Sequence, residues 1–148
     1  MKQHSTPRAL LADAQASGIF QVPMQHAADI VSVAQALGFR VWALDLATLN
    51  DDAELLQALA RVAEFPAWFG GNWDAAADCL NDLSWNPASG YLLSIHGSSR
   101  DLLRLQAGWT QLVDILGGAS QLWKADNVPF WVLVEAPAQH LAPWPPKC

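Results

Sequence analysis

Three aspartates lie four residues apart near the middle of the chain, at Asp74, Asp78 and Asp82. The segment around them has helical character, and at about 100° per residue the three carboxylates fall within an arc of roughly 80° on one helix face. Like charges at this spacing repel each other by roughly 0.2–0.5 kcal/mol per pair. The helix dipole favours only Asp74, which lies in the first turn. Such a face is typical of a surface that binds something positive, although a solvated helix face has the same pattern.

A hard cation and a basic protein are the two positive partners to compare. Mg²⁺ favours carboxylate oxygens, but the sequence shows no second cluster of carboxylates. The pattern therefore favours a protein interface or a solvated face over a metal site, and we expect no bound metal. A metal-dependent hydrolase that uses the three aspartates is the enzymatic alternative.

An aromatic loop with a pair of glycines precedes the acidic helix. Trp68 and Phe69 lie before Gly70 and Gly71, and Asn72 is a predicted N-cap because its side chain can accept a hydrogen bond from the first turn. The spacing favours neither the core nor an interface for Trp68, whereas it favours the core for Phe69. Exposed aromatic side chains beside charges are typical of interface hot spots. The loop therefore extends the candidate surface.

Charge is unevenly distributed along the chain. The formal net charge is −6, and between Val41 and Ser99 eight acidic residues and one arginine give a net charge of −7. An acidic centre argues against direct binding of nucleic-acid phosphates and for a basic partner. Solubility is the simpler explanation of the overall charge.

The composition predicts one cytoplasmic domain. A chain of 148 residues with 52% hydrophobic residues can bury a sizeable core. Cys79 and Cys148 do not form a disulfide framework, and no apolar run approaches the ~20 residues that cross a bilayer. We expect a cytoplasmic protein that does not bind membranes and is a monomer when unbound.

Strands alternate with helices, which predicts an α/β fold with a small, mostly parallel sheet. Residues 18–22 have weaker strand character and would add one strand. A long helix from Arg100 is expected to end at Gly117-Gly118 and to be followed by a short helix. The proline-rich tail, residues 137–148, is expected to be loose. The three strong strand runs are residues 39–46, 91–96 and 129–135.

Sequence motifs of catalysis are absent. The glycine pair at Gly70 lacks the following Lys-Ser/Thr of a phosphate loop, and no Cys/His pair has zinc spacing. The chain also lacks a Gly-x-Ser-x-Gly nucleophile elbow. We therefore expect neither enzymatic activity nor a cofactor.

The run Trp68-Phe69-Gly70-x-Asn72-x-Asp74-Ala75-x-x-Asp78-Cys79-Leu80 resembles the signature of the barstar family, whose members are small intracellular ribonuclease inhibitors. Residues 64–85 carry the signature, and the resemblance extends over about residues 39–136. It implies a three-layer α/β fold with a three-stranded parallel sheet, or a four-stranded one if residues 18–22 join it. Residues 1–38 would be an N-terminal extension with an added strand and helix, and residues 137–148 a proline-rich tail.

In this family the acidic helix and the loop before it block the active site of a basic ribonuclease. The resemblance implies that Asp78 occupies the site of the substrate phosphate and that Asp74 pairs with a second basic side chain. Trp68 would cover the catalytic histidine, while Gly70 and Asn72 shape the approach. The acidic helix face, the aromatic loop and the resemblance together give the predicted partner-binding residues, which are Trp68, Phe69, Gly70, Gly71, Asn72, Asp74, Ala77, Asp78 and Asp82.

A few positions depart from the family pattern. Ala77 stands where the best-known member has a tryptophan, Gly71 stands where it has an acid, and Asp82 is an additional acid. These differences point to a basic ribonuclease or nuclease toxin other than the original target, with this chain as its antitoxin or immunity protein. The alternative within the same fold is a binding module for a basic protein that is not a nuclease.

Overall fold

The computed structural model describes residues 6–23, 26–138 and 140–146 of the chain. Over this part, strands and helices alternate as the sequence pattern predicts. The strands are β1 (Ile19–Gln21), β2 (Arg40–Asp45), β3 (Tyr91–His96), β4 (Phe130–Glu135) and β5 (Ala142–Pro143). The helices are α1 (Pro7–Ala12), α2 (Ala27–Ala36), α3 (Asp52–Val62), α4 (Trp73–Asp82), α5 (Ser99–Arg104) and α6 (Gln106–Ala125), and short 3-10 turns cover Ala14–Ala16 and Leu46–Thr48.

The sheet is parallel and has the strand order β2-β3-β4-β1-β5. The prediction of a parallel α/β sheet is confirmed, but the predicted number of strands is wrong, because the described residues form a sheet of five strands and not three or four. β1 lies within the weak strand run at residues 18–22. β5 comes from the tail that was expected to be loose.

Aromatic packing holds the tail against the sheet edge. The backbone N–H of Trp144 donates a hydrogen bond to the carbonyl oxygen of Gln21 at 2.8 Å. The Trp144 ring packs edge-on against Trp131 and Phe20, with centroids 5.5 Å and 6.1 Å apart. A strand of two residues has no alternating pattern of its own, so these tertiary contacts form it.

The sheet is buried on both faces. On one face, α3, α4 and α6 pack over side chains such as Leu93 and Val132. On the other face, α1 and α2 pack over Trp131 and Leu133. All of β4 except Glu135 is buried, as a strand covered from both sides requires. None of the helices in the described ranges combines the length and the apolar character that crossing a bilayer needs.

The helical region after β3 differs from the prediction at two points. It divides into α5 and α6 at Leu105, whose side chain is fully buried and whose backbone is not helical. Gly117 and Gly118 do not end α6, which continues to Ala125. A glycine inside a helix costs about 1 kcal/mol relative to alanine. Here the burial of Leu116 and Ala119, on either side of the glycine pair, keeps the segment helical.

Candidate functional site

The acidic helix α4 has a defined start and end. The Asn72 side-chain oxygen accepts a hydrogen bond from the Ala75 N–H at 2.7 Å, so the predicted N-cap is confirmed. Gly71, the residue before Asn72, has a φ of 79°. This backbone conformation favours glycine because glycine has no Cβ. At the other end, buried Leu83 adopts a left-handed conformation and its N–H donates to the Cys79 carbonyl. These contacts fix the length of the helix that carries the three aspartates.

The carboxylates of Asp74, Asp78 and Asp82 are all exposed to solvent. Within the described ranges, no arginine or lysine lies within ion-pair distance of any of them. Asp74 and Asp78 also accept no hydrogen bond from this part of the chain. Asp82 accepts one from the hydroxyl of Ser84 at 2.9 Å. The chain therefore leaves the negative charge of this face open to a partner.

The opposite face of α4 is anchored in the core. Cys79 and Leu80 are fully buried, and the indole N–H of Trp123 in α6 donates to the Leu80 carbonyl at 2.8 Å. Burial raises the pKa of the Cys79 thiol, and the carboxylates of Asp78 and Asp82 raise it further. The acidic row therefore lies on a helix whose position is fixed by the core.

The two aromatic residues of the loop have different environments. Trp68 exposes 57% of its surface and contacts the ring of Trp85 edge-to-face, with centroids 6.0 Å apart and planes at 86°. Phe69 is half-buried against the core, and its ring lies 5.0 Å from Phe65. The packing of Phe69 agrees with the prediction from its spacing. For Trp68, where the spacing left both environments open, the structure shows the exposed one.

The predicted partner-binding residues lie along one continuous segment that includes the loop and α4. Two of them, Phe69 and Ala77, are half-buried and offer only part of their surface. The exposed ones are Trp68, Gly70, Gly71, Asn72, Asp74, Asp78 and Asp82.

Two residues that the sequence reasoning did not assign to the site support the loop. Trp85 follows α4, and its indole N–H donates to the carbonyl oxygen of Glu64 at 2.9 Å. Glu64 is exposed and has a left-handed backbone with a φ of 56°. This hydrogen bond spans 21 residues, so no local pattern predicts it. A tryptophan just after a predicted helix is the only signal that the sequence holds.

The spacing of the aspartates decides what the row can contact. Four residues of helix correspond to a rise of about 6 Å, so the carboxylates form a row of separate charges along the axis. In the described ranges, no group of three or more His, Cys, Asp or Glu side chains could hold a metal ion. A row of separate carboxylates suits several cationic side chains of a protein.

Fold and site together define a parallel α/β protein with an open acidic helix beside an exposed aromatic loop. A family model described as Barstar (barnase inhibitor) matches residues 39–135. The chain belongs to this family.

The other comparisons with known proteins give information only about the fold. No curated protein sequence matches the chain. Among similar solved structures is the ORC2 protein of Aeropyrum pernix in ADPNP–ADP complexes, with 16% sequence identity and a TM-score of 0.57. The similarity covers 88% of this chain but only 38% of the ORC2 chain. At this identity it supports the α/β architecture and carries no argument about nucleotides.

Proposed function

We infer that this protein inhibits a basic ribonuclease by binding across its active site with α4 and the loop before it. One observation carries this proposal. The carboxylates of Asp74 and Asp78 are exposed and unpaired within the described ranges, beside exposed Trp68, in a chain that belongs to a family described as barnase inhibitors. A carboxylate has the negative charge and the acceptor oxygens of a phosphate, so cations that bind RNA can bind it instead.

The family resemblance supplies the role of each residue. Asp78 would occupy the phosphate site of the nuclease, and Asp74 would pair with a second basic side chain. Trp68 would cover the catalytic histidine, while Gly70 and Asn72 would shape the approach. In this proposal the protein carries out no reaction and needs no cofactor, because blocking the site is sufficient.

The open charge would also speed association. Complementary charges steer two proteins together and raise the association rate at low salt. An inhibitor that protects cellular RNA must bind before the nuclease cleaves, so an acidic surface suits a cytoplasmic antitoxin or immunity protein. The association rate should fall steeply as salt shortens the Debye length from about 30 Å at 0.01 M to about 8 Å at 0.15 M.

The test uses a ribonuclease panel, defined as purified barnase together with basic ribonucleases and nuclease toxins related to it. Cleavage of a fluorogenic RNA is measured as the protein is titrated in. We expect stoichiometric inhibition of at least one enzyme. Asp78→Ala should weaken that inhibition by about 100-fold to 5,000-fold, since breaking a desolvated ion pair costs about 3–5 kcal/mol.

A matched control removes the same charge elsewhere. Asp29 is exposed on α2, on the other side of the sheet, so Asp29→Asn should leave inhibition within about 2-fold of wild type. Lack of inhibition across the panel at micromolar protein would overturn the proposal. So would equal inhibition by Asp78→Ala and wild type. A basic protein that binds this face and has no nuclease activity would support the alternative binding module instead.

A further inference from the structure

Trp68 is exposed although a tryptophan gains free energy by burying its apolar surface. The residue exposes 57% of its surface. Among the described residues, the aromatic ring that contacts it is Trp85, at a centroid distance of 6.0 Å and nearly perpendicular. Edge-to-face pairs of this kind are favourable beyond the area that they bury. The position of Trp68 therefore depends on where Trp85 is held.

Trp85 is itself held from two directions. Its indole N–H donates to the Glu64 carbonyl oxygen at 2.9 Å, and its ring lies edge-to-face with Phe65, with centroids 6.1 Å apart and planes at 84°. Both partners lie at the beginning of the loop that carries Trp68. Trp85 lies after α4, so it connects the two ends of the segment that forms the proposed binding surface.

The acceptor at Glu64 belongs to a rigid helix end. Glu64 lies just after α3 in the left-handed conformation. Its N–H donates to the Arg61 carbonyl at 3.2 Å, and the Phe65 N–H donates to the Ala60 carbonyl at 2.9 Å. This pair of bonds is the Schellman pattern that ends many helices. The carbonyl that receives Trp85 is therefore fixed by α3, which packs on the core.

We propose that Trp85 is a positioning residue of the binding surface, which holds Trp68 outward at a fixed place relative to the aspartates of α4. This inference rests on the proposed function. A side chain that is already held in its bound position loses less conformational freedom when the partner binds. A loop that adopts the competent position only part of the time weakens apparent affinity by that fraction.

The binding test is a double-mutant cycle. The probe is catalytically inactive barnase, or the inactive form of the panel enzyme that wild type inhibits most strongly. Trp85→Leu should weaken binding by about 3- to 10-fold, the range that corresponds to an aromatic pair. Trp85→Phe keeps a ring beside Trp68 but loses the N–H donor, so its effect should be smaller. In a Trp68→Ala background, Trp85→Leu should change binding by less than about 2-fold.

A second measurement needs no partner. The protein is labelled with 5-fluorotryptophan, and the fluorine resonance of Trp68 is assigned by its loss in Trp68→Phe. We expect Trp85→Phe and Trp85→Leu to shift this resonance. The matched control is Trp131→Phe, which also removes an indole N–H bonded to a backbone carbonyl, that of Leu11 at 3.0 Å, on the other face of the sheet. It should leave the Trp68 resonance unchanged.

Two results would overturn the role of Trp85. One is an unchanged Trp68 resonance in Trp85→Leu. The other is a loss of affinity on Trp85→Leu that is equally large with and without Trp68, since that is what a purely structural residue produces. A wild-type protein that inhibits no enzyme of the panel would contradict the proposed function, and the fluorine spectra would still decide whether Trp85 holds Trp68.

Discussion

The open charge of α4 has a consequence for stability that can be measured without any partner. Asp78 lies four residues from both Asp74 and Asp82, so its carboxylate takes part in two like-charge pairs. Each pair costs roughly 0.2–0.5 kcal/mol, and Asp78 itself has no compensating ion pair or hydrogen bond in the described ranges. Asp78→Asn should therefore stabilise the free protein by about 0.4–1 kcal/mol, because asparagine and aspartate have similar helix propensities.

The assay is thermal unfolding followed by circular dichroism. For a chain of this size, 1 kcal/mol corresponds to roughly 2–4 °C in Tm, so Asp78→Asn should raise Tm by about 1–4 °C at low salt. The gain should shrink in 1 M NaCl, where the Debye length is about 3 Å.

The control for this measurement has the opposite sign. Asp29 lies in the first turn of α2, where the helix dipole favours a carboxylate by about 0.3–1 kcal/mol. Asp29→Asn should therefore lower Tm slightly. A lower Tm for Asp78→Asn would show that the Asp78 carboxylate is engaged by its own protein in solution and that the acidic face is not open.

Three further predictions concern the scaffold. Gly118 lies inside α6, and a Cβ added there would have no neighbouring atom within 4 Å. Gly118→Ala should therefore stabilise the protein by about 0.5–1 kcal/mol in urea unfolding. Gly108→Ala is the control and should not stabilise it, because a Cβ at Gly108 would lie 2.8 Å from a carboxylate oxygen. The hydrogen bond from Arg104 holds the pKa of buried Asp101 below its usual value. The ionised Asp101 carboxylate therefore stabilises the fold above the unfolded pKa of about 4, and this stabilisation is lost as pH falls through the lower folded pKa. Asp101→Asn should destabilise the protein by about 1–3 kcal/mol at pH 7 and by much less at pH 2. In a Cys148→Ser background, iodoacetamide at pH 8 should label Cys79 at least about 100-fold more slowly in the native protein than in urea. The reason is that burial raises the pKa of this thiol and blocks access to it. Equal labelling rates would contradict the packing of α4.

The sequence predicted the alternation of strands and helices and the parallel sheet that follows from it, and it predicted details that are decided within one helical turn. Asn72 caps α4 because its side chain reaches the N–H three residues later. The side of α4 that carries the aspartates follows from helix periodicity alone.

The parts that the sequence did not predict depend on contacts between distant residues. Gly117 and Gly118 read as a helix end by local propensity, and only the burial of neighbouring side chains overrides that preference. The tail forms a strand because Trp144 packs on rings from two other strands. The bond between Trp85 and Glu64 joins the ends of the site across the whole of α4. None of these contacts leaves a periodic pattern in the sequence.

The chain tolerates an unfavourable charge pattern on α4 because the charges and the stabilising contacts lie on different parts of the helix. Repulsion along the aspartate row works against the helix, and Asp82 lies in the last turn, where the dipole disfavours a carboxylate. The stabilising contacts lie on the other side and at the ends, in the Asn72 cap, the buried Leu80 and the bond from Trp123. Because none of these contacts uses the exposed face, that face can carry charge for a partner at a cost of about 1 kcal/mol. A basic partner would remove this repulsion on binding. The repulsion free energy that Asp78→Asn relieves in the free protein would then contribute to the affinity of the complex.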